Sequence, residues 1–132
     1  MYLIINTTDD TKVEVILAKS QNNFEIKYAK GQRRQSENLL LTIDKILKEN
    51  KISPQKIKGI GVVTGPGGFT SVRIGVVVAN TLAYALKKEV YGLKNSDYNN
   101  HKDLIEKIIT AFKNKKSKKI VLPYYDREPN IG

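Results

Sequence analysis

Residues 64–75 read TGPGGFTSVRIG and decide how the chain folds, because they join an apolar strand to a long helix. The preceding run, 57–63, is short and rich in β-branched residues, which is typical of a buried strand. The following run, 72–86, contains no proline and predicts a helix that Thr70 or Ser71 caps. The intervening Gly65, Gly67 and Gly68 permit backbone angles that other residues avoid, so a tight strand-to-helix turn is expected.

This glycine turn has two competing interpretations. Backbone N–H groups at a helix start attract anions, which favours a phosphate site. The Walker pattern is missing, since no lysine lies between Lys58 and Lys87, and Gly-x-Gly-x-x-Gly fails because Thr70 stands sixth from Gly65. We therefore favour a structural turn over direct nucleotide binding.

Arg73 is an unusual residue for its position. A cation in the first turn of a helix is disfavoured by the helix dipole unless an anion compensates it. We expect Arg73 to be solvated or paired with a carboxylate of the chain, or else to bind a carboxylate or phosphate of another molecule.

Composition sets limits on the class of protein. The 132 residues carry a net charge of +10 and no cysteine, which suits one compact domain without disulfides. The positive charge favours a polyanionic partner such as nucleic acid, although it is also consistent with solubility alone. Residues 1–5 are interpreted as too short for a signal peptide, and every other apolar run as too short for a membrane span. A small cytoplasmic domain is expected.

The pattern of apolar residues predicts an α/β fold. Strands are expected over 2–6, 12–19 and 24–28, a helix over 36–50, a strand over 57–63, and a helix over 72–86. A strand over 90–93 and a third helix over 103–112 complete the order, with a short strand or docked tail over 120–125. Three antiparallel strands followed by alternating helices and parallel strands predict one mixed five-stranded sheet.

The two central helices differ in their apolar faces. The first has one stripe, which comprises Leu39, Leu40, Ile43, Ile46 and Leu47, with Leu41 outside it. The second is apolar on nearly every side and places Gly75, Ala79 and Ala83 on one face. That face packs on the chain's own sheet and first helix, or it meets another subunit, and both alternatives stay open.

A search for catalytic groups finds little. The single histidine, His101, is expected in a polar loop on the surface. Asp9 and Asp10 are adjacent and would point to opposite sides of an extended strand. Neither a catalytic residue nor a metal ligand is therefore assigned.

Several stretches resemble the TsaB (also called YeaZ) family, which takes part in threonylcarbamoyl modification of adenosine in tRNA. GPGGFTSVRIG at 65–75 resembles the family signature GPGSFTGVRIG. LIINTTDD at 3–10, followed by KVEVILA, resembles its first hairpin, and QSENLLLTIDKILKEN at 35–50 resembles its HSERLLPLIDELL helix. LPYYDREP at 122–129 resembles the family's terminal tail.

The resemblance implies a ribonuclease-H-like lobe of the actin and sugar-kinase (ASKHA) type over residues 1–132. The family's second lobe would be replaced here by residues 94–132, with the lysine-rich run 113–119 and the tail. Asn6 stands where the family usually has aspartate, and Gln35 where it usually has histidine. The asparagine argues against nucleotide hydrolysis by this chain.

The resemblance also implies a non-catalytic subunit that pairs with a catalytic TsaD-type protein, which a TsaE-type ATPase joins. No cofactor is expected on the chain alone, and ATP with magnesium is expected only in the assembled complex. Arg73, Thr70 and the glycine turn would organise the helix entry or the edge of a shared nucleotide site. The implied partner surface consists of Leu39, Leu40, Ile43, Gly75, Val76, Ala79 and Ala83.

Other functions remain as alternatives. The chain could be a small nucleotide-binding hydrolase, a peptidase-like enzyme, or a tRNA-binding module that acts through its lysine run. It could also form a homodimer through the same helices. The run 113–119 is either a solvated linker or a tRNA-phosphate contact. The residues assigned to that contact are Lys113, Lys115, Lys116, Lys118 and Lys119.

Overall fold

The computed structural model describes residues 1–31 and 33–124. Within them lie five strands and three α-helices, with short 3-10 turns at Pro54–Lys56 and Asn95–Asp97. In chain order these are β1 (Tyr2–Asn6), β2 (Lys12–Ser20), β3 (Asn23–Lys30), α1 (Gln35–Glu49), β4 (Gly59–Val63), α2 (Phe69–Leu86), β5 (Val90–Leu93) and α3 (His101–Lys113).

The strands form one mixed sheet in the order β3-β2-β1-β4-β5. β1 and β3 each pair antiparallel with β2, whereas β4 pairs parallel with both β1 and β5. The predicted α/β sheet of three antiparallel strands followed by parallel strands is confirmed. The carboxyl ends of β1, β4 and β5 therefore share one end of the sheet.

Both faces of the sheet are covered. Leu3 and Ile5 of β1 point to the side that α1 and α2 cover, and Ile4 between them points to the side that α3 covers. All three side chains are fully buried. Each contributes about 1.5–3 kcal/mol of hydrophobic stabilisation, so both layers hold the sheet in place.

The start of α2 differs from the prediction. The helix begins at Phe69, its N-cap is Gly68, and no side chain caps it. Thr70 and Ser71 are thus helical residues and not caps. The Ser71 side chain is buried in the interior. Arg73 becomes the fifth residue of the helix, beyond the first turn, where the dipole penalty expected for it has faded.

α2 is also long and apolar enough to cross a membrane by length and composition, contrary to the expectation that every apolar run is too short. In this fold the helix packs on the sheet. The residues that it buries are Ser71, Val72, Gly75, Val76, Val78, Ala79 and Ala83.

The region after β5 is more ordered than predicted. α3 begins at His101 and not at 103, because the Asn100 side chain caps it by accepting from the Asp103 N–H at 2.8 Å. His101 is therefore a helical residue, which corrects its assignment to a loop. Residues 120–124 form no strand and dock as a tail, with the Tyr124 N–H 2.8 Å from the Thr64 carbonyl oxygen. Tyr125 and the DREP portion of the stretch 122–129 lie outside the described residues.

Candidate functional site at the glycine turn

The glycine turn lies at the carboxyl end of β4, beside the turn that joins β1 to β2. Open α/β sheets commonly bind ligands at the carboxyl ends of their parallel strands. In this chain the glycines allow other backbone segments of the same molecule to approach closely. A Cβ on Gly67 would lie 2.5 Å from the Thr8 carbonyl oxygen, and a Cβ on Gly65, whose φ is +124°, would strike the Tyr124 carbonyl oxygen. These contacts support the structural interpretation of the turn.

A buried polar network joins this turn region to both helices. The Gln35 side-chain amide donates to the Asp10 carbonyl oxygen at 2.9 Å, and the Ser71 hydroxyl donates to the Gln35 amide oxygen at 2.9 Å. The Thr7 hydroxyl donates to the Ser71 carbonyl oxygen at 2.6 Å. Gln35, Ser71 and Thr7 are each less than a tenth exposed. The network fixes the starts of α1 and α2 against the end of β1.

Asn6 acts as a turn residue. Its side-chain oxygen accepts from the Thr8 N–H at 3.0 Å and from the Thr8 hydroxyl at 2.6 Å, while its amide nitrogen donates to the Tyr98 hydroxyl at 3.4 Å. Partial burial, followed by the Glu14 carboxylate, raises the pKa of the Tyr98 hydroxyl above its usual value. The position thus offers a neutral amide where metal-bound phosphate would favour a carboxylate.

His101 has a specific partner. Its Nε2 lies 3.0 Å from the Oε1 of Glu14, a buried carboxylate of β2, so the pair links α3 to the sheet. Sequence reasoning missed this contact because 87 positions separate the two residues. In the part of the chain that the structure describes, no group of three or more His, Cys, Asp or Glu residues is arranged to hold a metal ion.

Arg73 packs on an aromatic ring. Its guanidinium carbon lies 5.5 Å from the centre of the Phe69 ring, one helical turn earlier, in a cation–π arrangement. Beside them a shallow groove of about 260 Å³ separates the start of α1 from α2. The groove is lined by Ser36, Thr70, Arg73, Ile74, Val77 and Val78.

Comparison with known proteins places this architecture in a family. The model for TsaD, tRNA N6-adenosine threonylcarbamoyltransferase, matches residues 28–112, which is more than half of the chain. The chain belongs to the TsaD family. The match covers α1, the glycine turn, α2 and almost all of α3.

Individual relatives agree with this. The tRNA threonylcarbamoyladenosine biosynthesis protein TsaB of Bacillus subtilis (strain 168) is 38% identical over 55 residues, 42% of this chain and 24% of that protein. The tRNA N6-adenosine threonylcarbamoyltransferase of Wigglesworthia glossinidia brevipalpis is 37% identical over 73 residues, 52% of this chain and 22% of that protein.

A solved structure, YeaZ from Pseudomonas aeruginosa, superposes with a TM-score of 0.64 at 26% identity, over 70% of this chain and 43% of that one. The TsaB (YeaZ) resemblance and the ribonuclease-H-like fold are confirmed. The chain spans less than half the length of each of these relatives.

Most residues of the predicted partner surface are buried in the core of this TsaD-family chain. Their side chains pack α1 and α2 together and onto the sheet. These buried residues are Leu39, Ile43, Val76, Ala79 and Ala83. A Cβ on Gly75 would strike the Thr7 hydroxyl, so this glycine lets α2 approach the end of β1. Leu40 alone of the set is half exposed.

Exposed apolar residues lie beside the buried ones. Leu41 on α1 is 59% exposed, and Val77 on α2 is 60% exposed. Phe69 and Tyr84 are also exposed on α2. Apolar residues at helical spacing are mostly core residues. A prediction based on that spacing therefore selects the residues that hold the two helices together.

The lysines assigned to a tRNA contact are exposed but not on a free linker. The Lys118 N–H donates to the Val90 carbonyl oxygen at 2.8 Å, and the Val90 N–H donates to the Lys118 carbonyl oxygen at 2.7 Å. The Ser117 hydroxyl donates to the Glu89 carboxylate at 2.6 Å. The side chains concerned are Lys113, Lys115, Lys116, Lys118 and Lys119.

Proposed function

We propose that this chain is a non-catalytic subunit that binds a TsaD-type catalytic protein during threonylcarbamoyladenosine modification of tRNA. The observation that carries the proposal is the exposed apolar surface of α1 and α2, next to the signature turn. We call Leu40, Phe69 and Val77 the helical surface, whereas Leu41 lies on the side of α1 that faces β3. Single exposed apolar residues are ordinary, but several on two adjacent helices are characteristic of protein interfaces.

Three features support a non-catalytic role. Asn6 uses its side-chain oxygen to hold Thr8, and it supplies no negative charge for a metal ion. The glycines of the turn are occupied by close contacts with Thr8 and Tyr124, which leaves a phosphate little room at that point. His101 is paired with Glu14 on the α3 side of the sheet, away from α2. The hydrolase and peptidase alternatives receive no support from this arrangement.

Family relationship supports the choice of partner. Matches to the TsaD family model and to a TsaB protein connect the chain with threonylcarbamoyladenosine modification. The proposal includes a TsaE-type ATPase, with ATP and magnesium bound only in the assembled complex. Since the substrate in this proposal is tRNA, the proposal places the chain in the cytoplasm.

The test is the mass of the full chain in solution, measured by light scattering alone and with the TsaD-type protein of its own source. We expect a one-to-one complex that Val77→Arg abolishes. Thr110→Arg, an exposed position of α3 on the other side of the sheet, adds the same charge and should leave the complex intact. A chain that ignores the TsaD-type protein, or one that instead forms a dimer sensitive to Val77→Arg, would overturn the partner assignment.

A further inference from the structure

One end of the sheet collects lysines from four neighbouring chain segments. Tyr2 pairs with Ala18 and with Gly59, so Lys19 and Lys58 flank the start of β1 on either side. Ile60 pairs with Val90, which brings Lys88 beside the start of β4, and Lys118 bridges Val90 from beyond the sheet. The basic edge consists of Lys19, Lys58, Lys88 and Lys118. Neighbouring strands lie about 4.8 Å apart, so this row extends over roughly 20 Å.

The electrostatic surroundings of the Met1 amino group agree with this placement. Its pKa is lowered by partial burial first, and then by the charges of Lys58 and Lys19. Both lysines therefore lie close enough to Met1 to act on it electrostatically, as the register of β1 with its two neighbours requires.

Further lysines surround the row. They come from the segment before β4, the end of α2 and the run after α3, and they are Lys56, Lys87, Lys113, Lys115, Lys116 and Lys119. The segments 17–20, 56–60, 86–90 and 113–119 contain a single carboxylate, Glu89, which accepts from the Ser117 hydroxyl. These segments therefore carry little compensating charge of their own. Glu25, which pairs with Leu17, and Glu49, the last residue of α1, add two carboxylates at this end of the sheet.

Helix ends account for only part of this charge. α1, α2 and α3 all end on this side, and each helix C-terminus carries about −0.5 elementary charge, which attracts lysine. Ten lysines exceed this requirement several-fold. The opposite end of the sheet carries both signs of charge. Its residues include Asp9, Asp10, Asp97 and Asp103 as well as Lys12, Lys30, Arg34 and Lys94. In the part of the chain that the structure describes, the excess of positive charge is therefore greater at the basic edge than at the opposite end.

We propose that the basic edge binds the phosphate backbone of RNA. Lysines act as point charges on flexible stems, which suits phosphates at variable spacing better than the reading of particular bases. An RNA backbone is favoured over a membrane because membrane-binding surfaces combine cations with apolar residues that insert beside them. The exposed apolar residues of the neighbouring tail, Ile120 and Leu122, lead away from this edge toward Thr64.

The proposal rests on the proposed function only for its probe, which is unmodified tRNA. Fluorescence anisotropy of labelled tRNA is measured with the full chain between about 50 and 200 mM salt. The test variant combines Lys19→Gln, Lys58→Gln and Lys118→Gln. The control combines Lys30→Gln, Lys45→Gln and Lys102→Gln, three exposed lysines away from the edge that remove the same charge.

We expect the test variant to bind at least about tenfold more weakly at low salt, and the control to stay within about twofold. Each lost phosphate contact lowers the slope of log affinity against log salt by about 0.7 to 0.9, so the test variant should lose roughly two units. Circular dichroism checks that both variants are folded.

Two results would overturn the proposal. Equal losses in the test and control variants would assign binding to general charge. Binding of the unmodified chain to vesicles of anionic lipid, without binding to tRNA at the same salt, would assign the edge to a membrane. The outcome is separable from the partner proposal, because the lysine variants keep the helical surface and their complex with the TsaD-type protein is weighed independently.

Discussion

Ser71 and Gln35 form a buried hydrogen bond in which the Ser71 hydroxyl donates to the Gln35 amide oxygen at 2.9 Å. The two residues are 36 positions apart, in the first turns of α2 and α1. Because Gln35 also donates to the Asp10 carbonyl oxygen, one side chain holds three segments together at the glycine turn. This arrangement positions the helical surface relative to the signature turn.

Replacement of Gln35 by leucine should destabilise the fold. The change leaves the buried Ser71 hydroxyl and the Asp10 carbonyl oxygen without their partner, which costs about 1–3 kcal/mol in the free energy of unfolding. Urea denaturation followed by circular dichroism measures the loss. Gln55→Leu, at an exposed position, should change stability by less than about 0.5 kcal/mol. Equal stability of the two variants would show that the network contributes nothing.

Gly75→Ala provides a test in which two effects have opposite signs. Alanine is favoured over glycine in a helix by about 1 kcal/mol, so an unconstrained site would gain stability. Here the added Cβ strikes the Thr7 hydroxyl, and overpacking of this kind costs about 1–3 kcal/mol. We expect a net decrease in the thermal midpoint. The matched control, Thr81→Ala on the exposed side of α2, should leave it unchanged or raise it, and a gain from both variants would contradict the packing seen here.

Acid should weaken the fold in part through Asp103. The Asn99 backbone N–H, which donates to this carboxylate, and then Lys107 hold its pKa below the usual value. A folded-state pKa below the unfolded one stabilises the protein while the group is ionised, and that stability is lost as pH falls through the folded pKa. The thermal midpoint should therefore drop below about pH 4, and Asp103→Asn should make the drop shallower. An unchanged pH profile in this variant would refute the assignment.

Sequence patterns predicted the elements better than their ends and contacts. Alternation and helical spacing found β1 to β5 and the three helices, because burial on one face imposes those periods. The start of α2 was misplaced because Ser71 resembles a cap but hydrogen-bonds Gln35 in the interior. Buried Ala79 was assigned to a partner surface because small residues at four-residue spacing pack equally well on the chain's own sheet. The basic edge depends on the register of four segments, which composition alone does not reveal.

Substitutions at two nearby positions of α2, one buried and one exposed, should separate effects on the fold from effects on partner binding. Ala79 is fully buried, so Ala79→Arg places an unpaired charge in the core and should unfold the chain or cost several kcal/mol. Val77 is 60% exposed, and Val77→Arg should change stability by less than about 0.5 kcal/mol. Thermal denaturation of both variants, alongside the solution mass with the TsaD-type protein, distinguishes the cases. A folded Ala79→Arg variant would contradict the packing of α2 on the sheet, whereas an unfolded Val77→Arg variant would contradict the exposure of the helical surface. Only a folded Val77→Arg chain that no longer binds would support an interface on this face of α2.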